Sequence, residues 1–292
     1  MEKVNRSRRD FLKLMGMGTA AVALPGFKYF ENFEYKAKIG LQLYSVRKEI
    51  EKDFEGTMKK VADIGYAGIE TYFLPEKISL DYGAKIFKNA GLKVFSMHAE
   101  LPVGKDKDAA LKMADAYNCD RLVYHGWPEG GKFKTMDATK HTAEVYNESA
   151  AFLKSRGIHF GLHNHWWEFE KTGYGIYPAY YLLQNLDKEI FFEIDTYWAK
   201  TAGQDPAKVV HDFGKRAPLL HIKDGPAIMG KKSYEQVPAG EGVMDFKAIV
   251  KSGGSNIKWM IVEFDEYDGD IFKGISGSYE YLTKNGLVEG KT

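Results

Sequence analysis

From Lys38 onward the chain repeats one pattern eight times: a short apolar run, then a stretch with helical spacing. That repetition is the strongest constraint on the fold, because alternating β and α segments build a parallel sheet covered by helices. The strand segments are 38–45, 67–72, 92–99, 121–126, 158–165, 190–196, 219–223 and 258–264. Helical spacing covers 54–64, 81–90, 106–117, 139–156, 178–186, 206–213, 246–251 and 277–283. Several helices run into a glycine, as at Gly65, Gly91 and Gly157, which suits a left-handed C-cap. Eight such units close into an α/β fold of the (β/α)8 TIM barrel type. An open doubly wound sheet would call for a glycine-rich phosphate loop after the first strand. That place reads Leu41-Gln42-Leu43-Tyr44-Ser45-Val46-Arg47. The expectation is a single barrel domain over residues 38–292.

Residues 1–37 are of another kind. Ser7-Arg8-Arg9-Asp10-Phe11-Leu12-Lys13 precedes an apolar run over 14–24 with small residues at Ala21 and Ala23. A charged start, a short apolar run and small residues make an export signal. The run is too short to span a bilayer, so no stable membrane anchor is expected. The string SRRDFLK resembles the twin-arginine signal. The resemblance implies export of a folded protein by the twin-arginine machinery and a periplasmic location, with 1–37 as signal and linker.

Composition narrows the chemistry. A net charge of +1 offers no broad basic face, so nucleic acid is not an expected partner. Homo-oligomerisation is compatible with the sequence. The single cysteine, Cys119, allows no intrachain disulfide and no cysteine-rich zinc site. A metal would have to be held by histidine and carboxylate.

Side chains alternate along a strand, so one parity faces the barrel lumen. The polar residues near the C-terminal strand ends share that parity: Gln42 and Tyr44; Glu70; Ser96 and His98; His125; His163 and His165; Glu193 and Asp195; His221 and Lys223; Glu263 and Asp265. Active sites of this fold lie at that end. A buried histidine or glutamate costs several kcal/mol unless paired or bound to metal, roughly. One such residue is ordinary core; eight polar strand ends in one mouth read as a site. Imidazole with carboxylate suits one divalent ion, Mn, Zn, Co or Fe. Asp195, His221 and Glu263, on consecutive strands, are the expected ligands, with His163 as the fourth.

The stretches GLQLYSVR, GLHNHWWEF, FEIDTYW, HIKD and VEFDE resemble the sugar phosphate isomerase/epimerase group of xylose isomerase-like barrels, over nearly all of 38–292. The resemblance implies one divalent metal held by a glutamate on strand five, an aspartate on six, a histidine on seven and a glutamate on eight. Asp195, His221 and Glu263 match three of these; His163 stands where the group has glutamate. In the group's ketose epimerases the two glutamates exchange a proton from opposite faces. With His163 in place of one, another base is needed, and His165 or Glu168 could serve.

The expected chemistry is proton transfer alpha to a carbonyl of a small carbohydrate, through an enediolate. Glu263, His163, His165 and Lys223 are the catalytic candidates. Gln42, Tyr44, Glu70, His98, His125 and Trp198 are expected to bind substrate, and Trp127, Trp166 and Trp167 to offer flat faces at the rim. A periplasmic lyase on keto-sugars such as 3-keto-glycosides is the second reading, and a non-catalytic sugar-binding barrel the third. A DNA-repair endonuclease of the same fold, with Glu70, His98, His125 and Glu263 on metals, lacks the basic surface it needs. The glycines of 239–245 are expected to hinge a lid.

Overall fold

A computed structural model describes residues 36–291; the export-signal reading lies outside them. Eight parallel strands close into a barrel: β1 Ala37–Gln42, β2 Gly68–Thr71, β3 Lys93–Ala99, β4 Arg121–Tyr124, β5 His159–His163, β6 Phe191–Asp195, β7 Leu219–Ile222 and β8 Trp259–Val262. Each pairs with its sequence neighbours, and β1 closes the ring by pairing with both β2 and β8. A two-residue strand, β9 Val288–Glu289, runs along the N-terminal end of β1. All eight expected strands are present, each ending up to three residues earlier than its apolar run. The helices over Phe54–Ile64, Asp106–Tyr117 and Pro206–Phe213 have the expected bounds. Among the described residues, no helix is long and apolar enough to cross a membrane.

Helix starts are set by short polar side chains. The carboxylate of Asp53 accepts from the Gly56 amide, Ser79 caps Leu80–Asn89, and Asp245 caps Phe246–Gly253. Two α-helices fall outside the expected segments, Arg47–Lys52 and one that bears on the site. Thr196–Thr201 begins as soon as β6 ends, with Asp195 as its cap accepting from Trp198 N–H at 2.8 Å. The capping bond aims the carboxylate along the strand end, where the site lies.

Alternation divides the barrel as expected. Ile39, Leu41, Phe160, Leu162 and Val262 face outward into the main core with the helices. Phe95, Val123, Phe191, Leu219, Trp259 and Ile261 form a separate apolar plug inside the lumen. Phe95 stacks on Trp259 with centroids 3.8 Å apart. Gly40 and Gly161 make room for this plug, because a Cβ at either would collide with the ring of Phe95 or Phe191. Parity alone turned only Ser96 and His98 inward on β3. The register of β3 against β2 shifts at Ile69/Glu70. Such an irregularity lets one strand fill both layers, with Phe95 in the plug and His98 above it.

Candidate active site

Above the plug the lumen turns polar. Gln42, Glu70, Glu193, Asp195 and His221 are fully buried, and His98, His163, Lys223 and Glu263 nearly so. Two hydrogen-bonded groups share this layer. In the deeper one, Glu193 Oε1 meets three imidazoles: His98 Nε2 at 2.7 Å, His221 Nε2 at 3.0 Å and His163 Nδ1 at 3.1 Å. Glu70 Oε1 accepts from Gln42 Nε2 at 2.8 Å and also contacts His221 Nε2 at 2.8 Å. In the upper group, Lys223 Nζ pairs with Glu263 Oε2 at 2.7 Å, Asp195 Oδ2 at 2.8 Å and Asp265 Oδ2 at 2.9 Å. His221 joins the two, its Nδ1 lying 2.6 Å from Glu263 Oε2.

Charge states follow from this packing. Burial disfavours a charge on Glu70, but His98 and His221 outweigh it and hold the carboxyl well below its usual range. Burial also opposes the His98 cation, yet Glu70 and Glu193 raise it to about 10. His221 is driven well above the ordinary histidine value, because Glu193 and Glu263 overcome the cost of burial. His163 goes the other way: burial and the neighbouring His221 hold it well below that value. It is therefore a neutral ring. Its Nδ1–H donates to Glu193, which leaves Nε2 as the lone-pair nitrogen. Glu193 thus sets which nitrogen of His163 and which of His221 is left for the Asp195–Glu263 side. Carboxylates that orient histidines in this way tune metal sites.

The four expected ligands come together. One donor atom from each of His163, Asp195, His221 and Glu263 lies within 4.8 Å of the others. A second set, His98, His163, Glu193 and His221, meets the same criterion one layer deeper. Imidazole with carboxylate is a donor set for Mn, Fe, Co or Zn. The outer oxygens Glu70 Oε2 and Glu193 Oε2 are buried without a hydrogen-bond partner. The layer's uncompensated acceptors thus fit a cation.

The layer forms the floor of a pocket of about 340 Å³ at the C-terminal end of the strands, with His98, His163 and Glu263 reaching it from below. Its walls include Tyr44, Tyr72, Phe73, His125, Trp127, His165, Trp198 and Tyr234. His165 stacks on Trp167 at 4.5 Å, and its Nδ1 is buried without a partner. Burial and the Lys223 charge keep it neutral, well below the usual histidine value.

Several expected roles shift. Gln42 and Glu70 do not reach the pocket; they lie a layer below, because β1 and β2 end low and their last inward residues face the deeper group. Tyr44 is not on a strand. The chain turns into a 3-10 helix over Leu43–Val46, braced by Gln42 Oε1 accepting from Tyr44 N–H, and this lifts the ring to the rim. Lys223 does not line the pocket, since its ammonium is committed to three carboxylates. Trp198 does line it, from the helix after β6, although the residue is almost fully buried. Glu168 is not a free base: Oε2 accepts from His165 N–H at 2.9 Å and Oε1 from Trp167 Nε1–H at 2.7 Å. It braces the turn that carries both rings. The glycines near 240 are not a hinge. Asp224 accepts from the amides of Gly225, Gly240, Gly242 and Met244 at 2.9–3.1 Å and ties the loop down. Glu193 and Asp265 are functional positions outside the expected ligand and base set. Both sit two residues from an expected ligand on the same parity, which is the signal that could have found them.

The family described as xylose isomerase-like TIM barrel matches residues 58–265. The chain belongs to this family. Among solved structures, this xylose isomerase-like barrel is similar to two sugar phosphate isomerase/epimerases from Parabacteroides distasonis ATCC 8503. One is 27% identical with a TM-score of 0.73, covering 87% of this chain and 100% of that one. The other is 26% identical with a TM-score of 0.71, covering 87% and 96%. The probable 3-DHS dehydratase AsbF of Bacillus anthracis shares the fold at 12% identity, with a TM-score of 0.67 over 84% of this chain and 98% of that one. A comparison with curated proteins returns no match.

Proposed function

We propose that this barrel is a divalent-metal-dependent carbohydrate isomerase or epimerase that moves a proton at the carbon next to a carbonyl. The observation that carries the reading is the convergence of His163, Asp195, His221 and Glu263 beneath a pocket in which His165 stands neutral and unpartnered. The two Parabacteroides distasonis proteins, named as sugar phosphate isomerase/epimerases, support it. His163, Asp195, His221 and Glu263 would hold the ion, which when bound supplies Lewis acidity toward a substrate oxygen.

The chain's own groups then divide the work. His165 accepts the proton from the carbon alpha to the carbonyl, because it lines the pocket and is held neutral. Lys223 keeps Glu263 ionised: burial opposes that charge, but the ammonium and His221 hold the carboxyl far below its usual range. Trp198 and Tyr234 exclude water and cover apolar sugar faces. A single imidazole that takes a proton and returns it to the neighbouring carbon favours a 1,2-shift over exchange between two faces. The same enediolate can instead expel a group beta to the carbonyl. Export, read from Arg8-Arg9 and the apolar run after them, favours that second reading, a lyase on keto-sugars such as 3-keto-glycosides, because sugar phosphates are cytoplasmic metabolites.

Solvent deuterium exchange into keto-sugars and 3-keto-glycosides, followed by NMR, tests both. Deuterium at the alpha carbon with isomerised product supports the first reading, and release of an aglycone or water the second. Tight binding without exchange across the panel would leave a sugar-binding barrel. We also propose export to the periplasm by the twin-arginine route, supported by Arg8-Arg9 and the apolar run after them. Replacing both arginines by lysine should keep the protein inside; unchanged export would overturn that route.

A further inference from the structure

The pocket's charge and its rim specify the substrate more closely than the names of its neighbours do. Its lining contains three carboxylates, Glu263, Asp265 and Glu266, and neither lysine nor arginine. The nearest cations are already paired, two of them with these same carboxylates. Lys223 is held by Glu263 and Asp265 of the lining and by Asp195, and His98 on the floor is held by Glu70 and Glu193. The Arg47 guanidinium lies 3.9 Å from the Tyr44 ring centroid and pairs with Glu266 at 3.0 Å. Lys132 donates to the carbonyls of Gly126, Pro128 and Glu129. The amide end of the helix after β6 is capped by the Asp195 carboxylate. Phosphate recognition needs a guanidinium, an ammonium or free backbone amides aimed at the anion, and this mouth offers none that is not already paired.

The rim is built differently from the floor. Tyr44, Phe73 and Trp127 are 38%, 49% and 50% exposed and line the mouth. Only four other large hydrophobic side chains are as exposed among the described residues. Phe73 packs edge-on against His125 at 5.6 Å, and Trp127 lies 5.4 Å from both His165 and Trp167, so these rings are fixed in place. A sugar seated on the polar floor would leave them uncovered. Exposed apolar groups rimming a polar cleft mark where a ligand continues.

We propose that the substrate is an uncharged glycoside of two rings: the reacting sugar on the floor, and a second ring that lays an apolar face against Phe73 and Trp127. This rests on the carbohydrate reading above. The second ring is an aryl aglycone or another sugar, which share that apolar face.

Tryptophan-fluorescence titration of the full chain tests it, with methyl and phenyl β-D-glucopyranosides, cellobiose, glucose and glucose 6-phosphate, and the galactose counterparts. Phenyl glycoside should bind about tenfold more tightly than methyl glycoside, consistent with about one aromatic contact. Glucose 6-phosphate should bind at least several-fold more weakly than glucose. Phe73→Ala and Trp127→Ala should bring the phenyl-to-methyl ratio close to one. Cellobiose matching the phenyl glycoside identifies a sugar as the second ring, and a clear shortfall identifies an aryl group. Equal or tighter binding of the 6-phosphate, a phenyl-to-methyl ratio near one in the intact protein, or a ratio surviving both variants overturns the proposal. Failure of every carbohydrate to bind the folded protein overturns the carbohydrate reading itself.

Discussion

The lumen of this barrel is built in two layers. Its lower half is a plug of Phe95, Val123, Phe191, Leu219, Trp259 and Ile261. Its upper half holds acids, imidazoles and one ammonium, and on β3, β6, β7 and β8 these follow a plug residue by two to four positions. The lower half is held by contact between rings and is indifferent to pH. The upper half is held by charge and leaves buried carboxylate oxygens without partners. The difference separates the part that makes the barrel stand from the part that makes it act. In this fold the two ends of the strands carry those two tasks.

The largest expected effect lies in the lower half. Trp259→Ala removes the ring stacked on Phe95 and should cost about 3–5 kcal/mol in urea unfolding. Metal bound per folded chain should not change. If metal content fell with stability, the two halves would not be separable.

The next effect belongs to the mouth. Burial raises the Glu168 carboxyl to about 7, against the bonds it accepts from the His165 amide and the Trp167 indole. The folded state therefore holds this proton more tightly than the unfolded chain does. The resulting stability is full below the ordinary glutamate value of 4.5 and is lost as pH rises through 7. At 1.36 kcal/mol per pKa unit the loss is about 3 kcal/mol between pH 4.5 and 8. Unfolding across that range should show it, and Glu168→Gln should flatten the slope. An unchanged slope in the variant would place the titration elsewhere.

A smaller effect separates the two groups within the upper half. Glu193→Gln keeps the size of the side chain but weakens its hold on the Nδ1–H of His163 and the Nε2–H of His221. Cobalt affinity should fall roughly 10–100-fold, with an altered cobalt absorption spectrum and a native circular dichroism spectrum. Unchanged affinity and spectrum would remove Glu193 from the metal site's support.

Much of this was legible from period alone. Eight apolar runs placed eight strands, and inward parity brought His163, Asp195, His221 and Glu263 to one end of the barrel. Parity failed where the backbone departs from regular pleating. The irregularity on β3 puts Phe95 in the plug, and the early turn after Gln42 carries Tyr44 to the rim. Depth was also hidden. Gln42 and Glu70 share the inward parity but sit a layer too low to touch a ligand, because height in a barrel depends on strand stagger, which a single strand's sequence does not encode. Polar partners were the least visible. Glu168 read as a base and Gly240 and Gly242 as a hinge, whereas hydrogen bonds to the His165 amide and to Asp224 commit them to holding loops.

The proposed metal centre is tested most directly by elemental analysis of folded protein after manganese or cobalt loading and dialysis. About one ion per chain is expected in the unaltered protein, and almost none in Asp195→Ala and His221→Ala, both checked for native circular dichroism. Stoichiometric metal retained in both variants would contradict the assignment.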